Sequence, residues 1–245
     1  MTKIFDALER AQQEQSPAGS KPGTLDQTYY PQLKTLGRLD KILIELYDGI
    51  ATLVHEAGGN AVEFMGPRAR AGSSQLLRRL AQVITDHMGK SVLYINVNQL
   101  GGWHGAQMPG ASRDGLAKAL RQRCSVDEAI EQVGNSRLYT TGLFPYESDD
   151  VTALINSADF KNMLDLLRDR FDLVLLDPPP ALVSPEALAL SNEADVVVLV
   201  VESELTRWQV AQVIKEKVEI RGGKIAGVVL NKRRYYIPQF IYKRL

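Results

Sequence analysis

The residues with the most chemistry to offer lie in Gly66-Pro67-Arg68-Ala69-Arg70-Ala71-Gly72-Ser73-Ser74. The segment joins an apolar run to an amphipathic one, which suits a strand-to-helix turn. Backbone N–H groups of such a turn, with a helix N-terminus behind them, cradle an anion. On the pattern G-x-x-x-x-G-K-[ST], Gly72 takes the second glycine. Ser74 takes the hydroxyl that would ligate magnesium. Ser73 stands where the lysine belongs, and the first glycine falls on Pro67, with Gly66 beside it. By itself this is a weak match, and an ordinary tight turn is the plainer reading.

Two other stretches change its weight. Residues 171–177, FDLVLLD, form an apolar strand that ends in Asp177 and is followed by three prolines. A carboxylate there would sit beside the turn and hold a metal's water shell. Residues 224–231 end in Asn231, whose amide could read an adenine edge through paired hydrogen bonds. His55, His87 and His104 have no spacing suited to a metal, Cys124 reads as an inert thiol, and Trp208 reads as helix packing.

These groups need a scaffold. Strands are expected over 61–65, 91–97, 171–177, 196–201 and 224–231, and helices over 73–87, 159–170, 185–191 and 206–220. Continuous apolar strands such as 196–201 imply burial on both faces, hence a parallel sheet under helices. The fold class is α/β: a three-layer, doubly wound, mostly parallel sheet with any ligand at the strands' carboxyl ends. A helix over 36–55 precedes it, striped by Leu39, Ile42, Leu43, Leu46, Ile50, Leu53 and Val54 and stopped by Gly58-Gly59-Asn60. The expected division is an N-terminal amphipathic helix in 1–14, a linker over 15–35, the α/β domain over 36–232, and a basic, aromatic tail over 233–245.

Across 245 residues, 29 basic side chains balance 29 acidic ones, which argues against a nucleic-acid partner. A single cysteine excludes an internal disulfide and a cysteine zinc site. The longest aliphatic run, 196–201, is too short to span a membrane, and residues 1–11 lack a signal core. A cytoplasmic setting is expected.

The order of segments resembles the bacterial tyrosine kinases of exopolysaccharide and capsule synthesis, deviant-Walker P-loop proteins related to partition and division-site ATPases. The resemblance spans roughly residues 36–232. It rests on FDLVLLDPPPAL, EALALSNEADVVVLVVESELTR and GGKIAGVVLNK, while MTKIFDALERA and NKRRYYIPQFIYKRL resemble a subgroup of export clusters. It implies a P-loop NTPase fold, ATP or ADP with magnesium in competent members, and an inner-membrane co-polymerase or chain-length-determining protein as partner. An intact paralogous kinase could work beside it. The chain would then lie in the cytoplasm, peripheral to the inner membrane.

The chain departs from that family at three catalytic places. Ser73 replaces the lysine that stabilises developing charge on the transferred phosphate. Arg70 stands among residues the family keeps small. The family's strand ending in Asp-x-Asp reads here as Leu93-Tyr94-Ile95-Asn96-Val97-Asn98, with both carboxylates turned to amides. An amide cannot act as a base and attracts magnesium far less. The family's ring motif E-x-x-R-x-x-R reads Glu45, Asp48, Ala51.

A vestigial nucleotide site is therefore expected at Gly66, Arg68, Arg70, Gly72, Ser73, Ser74 and Asn231, with Asp177, Asn96 and Asn98 as catalytic remnants. Ser74 and Asp177 would hold magnesium if it binds. The expected role is a degenerate, tyrosine-kinase-like scaffold or regulator; the alternatives are an active autokinase and a partition-type ATPase. No lysine occurs in 61–89, which weighs against the last. Lys232, Arg233, Arg234, Tyr235, Tyr236, Phe240, Tyr242, Lys243 and Arg244 form a basic, aromatic end suited to a partner or an anionic membrane surface.

Overall fold

The structure, a computed structural model, describes residues 37–97, 115–122, 125–143 and 150–232. The expected N-terminal helix and linker, the tail from Arg233 onward, Asn98, His104 and Cys124 lie outside the described residues. The chain divides into two compact units, Met1–Lys41 and Ile42–Leu245. Of the first, residues 37–41 are described; they carry the first turn of helix α1 (Arg38–Ala57).

The second unit alternates strand and helix. β1 (Ala61–Met65) leads through the glycine-containing turn into α2 (Ser73–Met88), then β2 (Val92–Asn96). α3 (Gly115–Gln122), a 3₁₀ turn (Val126–Ala129), β3 (Glu131–Gln132), β4 (Leu138–Gly142) and α4 (Val151–Ile155) follow. α5 (Ala158–Arg170), β5 (Leu173–Asp177), α6 (Pro185–Glu193), β6 (Val196–Glu202), α7 (Trp208–Ile220) and β7 (Ile225–Asn231) complete it. The seven strands lie in the order β3-β4-β2-β5-β1-β6-β7. All pairings are parallel except β3 with β4. This is the expected three-layer α/β sheet.

Side chains alternate between the two faces. Ala61, Met65, Leu93, Ile95, Val174, Leu176, Val197 and Leu199 join α3 to α7 in one continuous apolar core. Val62, Phe64, Val92, Tyr94 and Leu175 have the other parity and are equally buried, facing α2, which buries Leu77, Leu80, Ala81 and Ile84. With both faces covered, β1, β2 and β5 are buried along their whole length.

Three expectations shift. The buried stripe of α1 runs through Leu43, Tyr47, Ile50 and Val54, with Ile44 beside it, while Leu39 and Ile42 are exposed. Tyr47 completes an i, i+4, i+7, i+11 face that aliphatic residues alone do not outline. β3, β4, α3 and α4 fall in a region that carries no clear periodicity, and β4 (LYTTG) is recognisable mainly by its β-branched and aromatic content. Trp208 is 60% exposed at the start of α7 rather than packed.

Glu63 breaks the apolar pattern of β1. It is 0% exposed, and neither carboxyl oxygen has a hydrogen-bond partner. Its register neighbours are Leu176 and Val197. Burial holds its carboxyl well above the ordinary 4.5. The folded chain thus keeps a proton that the unfolded chain releases above pH 4.5. Stability tied to that proton is fully present below pH 4.5 and lost as the pH rises through the folded value. Glu63→Met, which keeps the volume and removes the stranded oxygens, should stabilise the fold by about 1–3 kcal/mol at pH 7. The gain should be smaller at pH 5, as read by urea unfolding at the two pH values.

Candidate functional site

The site is built from strand ends. Asn96, Asp177, Glu202 and Asn231 are the last residues of β2, β5, β6 and β7, and the turn after β1 runs among them. Parallel pairing brings them to one edge of the sheet. Asn96 is in register with Asp177 on one side and Gly142 on the other, and Glu202 is in register with Asn231.

The turn keeps the shape of a phosphate loop. Gly72 has φ 89°, and a Cβ there would stand 2.4 Å from the Asn231 amide nitrogen. A Cβ on Gly66 would stand 3.1 Å from Ser73 Oγ. Gly72 is needed where it is, and a side chain on Gly66 would press on Ser73. Arg70 has φ 66°, a left-handed conformation that costs a non-glycine residue roughly 1 kcal/mol. It fits because its side chain, like that of Arg68, is exposed.

The loop's carbonyls are held from outside. Gly66 and Pro67 oxygens accept from the N–H groups of Ala181 (3.0 Å) and Leu182 (3.2 Å), after β5. Ala71 O accepts from Asn231 Nδ2 at 3.0 Å. Arg70 O accepts from Lys232 Nζ. Gly72 O starts α2 by accepting from Leu76 N at 2.9 Å. Asn231 is thus engaged on the loop: its Oδ1 also accepts from Lys232 N at 2.9 Å.

Asp177 lies at the centre and is 1% exposed. Ser74 Oγ donates to Oδ1 at 2.9 Å, and the hydroxyl of buried Tyr94 donates to Oδ2. Burial raises the Asp177 carboxyl to about 6, while the Tyr94 and Ser74 hydrogen bonds and the Arg78 guanidinium pull it back down. Burial and the Asp177 charge together push the Tyr94 phenol well above 10.

Magnesium asks for hard oxygen ligands, at least one or two of them anionic, with water completing an octahedron. Here Asp177 takes a hydroxyl on each oxygen, which leaves each a second lone pair, and Asn96, 2% exposed, brings a neutral amide. Ser74 and Asp177 would hold the ion, with the Asp177 carboxylate as the charge that attracts it. Among the described residues, no group of three or more His, Cys, Asp or Glu could hold a metal.

The sequence reading overlooked Tyr94, Arg78 and Glu202. Tyr94 had a usable signal: it lies two residues before Asn96 on the same strand, so both face the same way. Glu45 is exposed and Asp48 half-buried on α1, where burial and Glu45 raise the Asp48 carboxyl.

The raised Asp177 value has a measurable consequence. The folded chain holds a proton there that the unfolded chain releases near 3.8. The associated stability is fully present below pH 3.8 and lost as the pH rises through about 6. Asp177→Asn should remove roughly 3 kcal/mol of pH dependence across that window. Urea unfolding of both proteins between pH 4 and 7 measures it; parallel curves would refute the assignment.

Comparison with known proteins follows the same lines. No protein-family model matches the chain. It is 29% identical over 189 residues to the EpsB protein of Ralstonia solanacearum, covering 74% of this chain and 25% of that one. It is 25% identical over 198 residues to the tyrosine-protein kinase ptk of Acinetobacter johnsonii, covering 78% and 26%. The chain thus spans about a quarter of the length of these relatives. In fold it is similar to the kinase domain of the Escherichia coli tyrosine kinase ETK, with a TM-score of 0.72, 17% identity, and 92% and 89% of the two chains covered. By sequence the chain is similar to bacterial tyrosine-protein kinases, and its fold is the P-loop α/β fold of a kinase domain from that group.

Proposed function

We propose that the chain is a catalytically degenerate, tyrosine-kinase-like scaffold or regulatory subunit of exopolysaccharide biosynthesis or export. One observation carries this reading: beside Asp177 and in register with it, the end of β2 brings the buried neutral amide of Asn96 to the carboxyl edge of the sheet. An amide supplies neither the negative charge that attracts magnesium nor a base for the acceptor. The missing charges agree. Ser73 stands where the phosphate loop's lysine belongs, and the sequence has amides, Asn96 and Asn98, where the resemblance expects two carboxylates. Electrostatic stabilisation of the transferred phosphoryl group is the largest single catalytic contribution in this chemistry. Losing a lysine and two carboxylates together removes it.

What remains suits contact. The sheet edge keeps its tethered loop, which engages Lys232, and residues 233–245 carry Arg233, Arg234, Tyr235, Tyr236, Phe240, Tyr242, Lys243 and Arg244 for contact. The partner in this reading is a membrane chain-length-determining co-polymerase, reached from the cytoplasmic side and aided by an anionic surface. No helix among the described residues is long and apolar enough to cross a membrane.

A second reading is an ATP-dependent tyrosine autokinase, favoured by the kinase names of the relatives. The two part on turnover. Calorimetry with Mg-ATP and Mg-ADP, followed by phosphate-release assays, should show no magnesium-dependent hydrolysis above a no-protein control. Hydrolysis abolished by Asp177→Ala would overturn the degenerate reading, and phosphotyrosine on the protein after incubation with Mg-ATP would establish the autokinase. For the partner, removal of residues 233–245 should lower membrane recruitment in cells severalfold; unchanged recruitment would eliminate the tail as the contact.

A further inference from the structure

Three non-glycine residues among those described have left-handed backbones: Arg70 (φ 66°), Glu204 (φ 69°) and Lys232 (φ 56°). All three stand at one place, the phosphate loop and the two strand ends beside it. Such strain persists only where surrounding contacts over-determine it. The contacts are specific. Lys232 Nζ donates to the Arg70 carbonyl and pairs with Glu202 Oε1 at 3.1 Å, two residues before Glu204. One residue earlier, Asn231 Nδ2 donates to the Ala71 carbonyl at 3.0 Å. Ser203 N donates to Asn231 O at 2.9 Å, fastening the β6 end to the same residue.

We propose that Asn231 and Lys232 form a clasp that sets the conformation of the phosphate loop and locks it to the β6–α7 loop through Glu202. They act as positioning residues. The physics follows from the trans peptide, whose C=O and N–H point in opposite directions. With the Ala71 carbonyl held by Asn231, the Gly72 N–H of the same peptide is set to point the opposite way. With the Arg70 carbonyl held by the Lys232 ammonium, the left-handed turn is fixed at a residue that would otherwise relax out of it. A charge-assisted hydrogen bond contributes more than a neutral one, which suits the strained position. The close approach of Asn231 to Gly72, too tight for any Cβ, is the geometric mark of the clasp.

The clasp differs from the loop lysine that Ser73 lacks. A phosphate-loop lysine serves the phosphate, whereas Lys232 grips the loop's backbone oxygen. Its role therefore holds whether or not nucleotide binds, and it does not depend on the degenerate reading above.

Trypsin supplies the test, because the clasped bond follows an arginine. Cleavage at Arg70–Ala71 requires the loop to open, and when reclosing is fast its rate tracks the open population. In the full-length protein, the Arg70–Ala71 cut is followed by mass spectrometry under native conditions. Lys232→Met should speed this cut about tenfold, as expected for losing one charge-assisted hydrogen bond. Lys232→Arg, which keeps the charge and the donors, should restore most of the protection. Glu202→Gln should give an intermediate rate. The far-UV circular dichroism and urea midpoint of each variant report whether the fold is intact. Equal rates in wild type and Lys232→Met with the fold intact, or equal rates in Lys232→Met and Lys232→Arg, would overturn the clasp. Should Lys232→Met not fold, Asn231→Ser, which shortens the grip on Ala71, must raise the same cut or the proposal fails. Nucleotide turnover, measured in parallel, addresses the functional reading separately.

Discussion

A carboxylate buried at the carboxyl edge of a parallel sheet must be neutralised by something. Near-complete burial of an unpaired charge is costly enough that the group takes up a proton or gathers donors instead. In an active nucleotide site a metal and its waters provide part of that neutralisation. Asp177 draws donors from two elements: Ser74 at the start of α2 and Tyr94 on β2. Arg78, one turn further along α2, adds a compensating charge. The arrangement ties β2, β5 and α2 together at the point where a phosphate loop must be anchored. The shape of the site follows from how this one carboxyl is satisfied.

The loop illustrates the complementary constraint. Its backbone oxygens face protein donors: Ala181 and Leu182 on one side, Asn231 and Lys232 on the other. Buried backbone groups must find partners, and these do so without any ligand. A loop held in this way keeps its form whatever side chains it carries. Arg70 makes the point, since a residue poorly suited to φ 66° is tolerated there. Glycine would remove the strain, so the contacts around Arg70 outweigh a cost of roughly 1 kcal/mol.

Much of the scaffold was legible from residue order. Apolar strands without alternation, such as 173–176 and 196–201, could be stable only when covered on both faces, which dictates a parallel sheet. Strands and helices fell within a few residues of expectation because Gly and Asp punctuate their ends. Residues 126–155 were not legible. β4 is five residues long and contains Thr140 and Thr141, both buried, so its polarity conceals its position beside β2. The stripe of α1 was misread by counting Leu39 and Ile42 as core, when Tyr47 carries the buried face. At the site, Ser73, Asn96 and Asp177 could be placed by pattern. The role of Tyr94 depends on strand parity, and that of Lys232 on a left-handed turn after β7, which no local sequence rule signals.

Glu63 and Asp177 show how context divides two carboxyls on adjacent strands of the same sheet. Both are buried, and burial raises both. Asp177 lies at the strand end, where loop and helix donors converge, and its rise is checked at about 6. Glu63 lies mid-strand among Leu176 and Val197, beyond the reach of any donor. The difference is topological. In a parallel α/β sheet, polar side chains at the carboxyl edge can be satisfied by connecting loops, while those in the middle face only the apolar surfaces of helices. A charged group can therefore be kept at the edge, held by protein neighbours. In mid-strand, burial favours its neutral form, at the expense of stability.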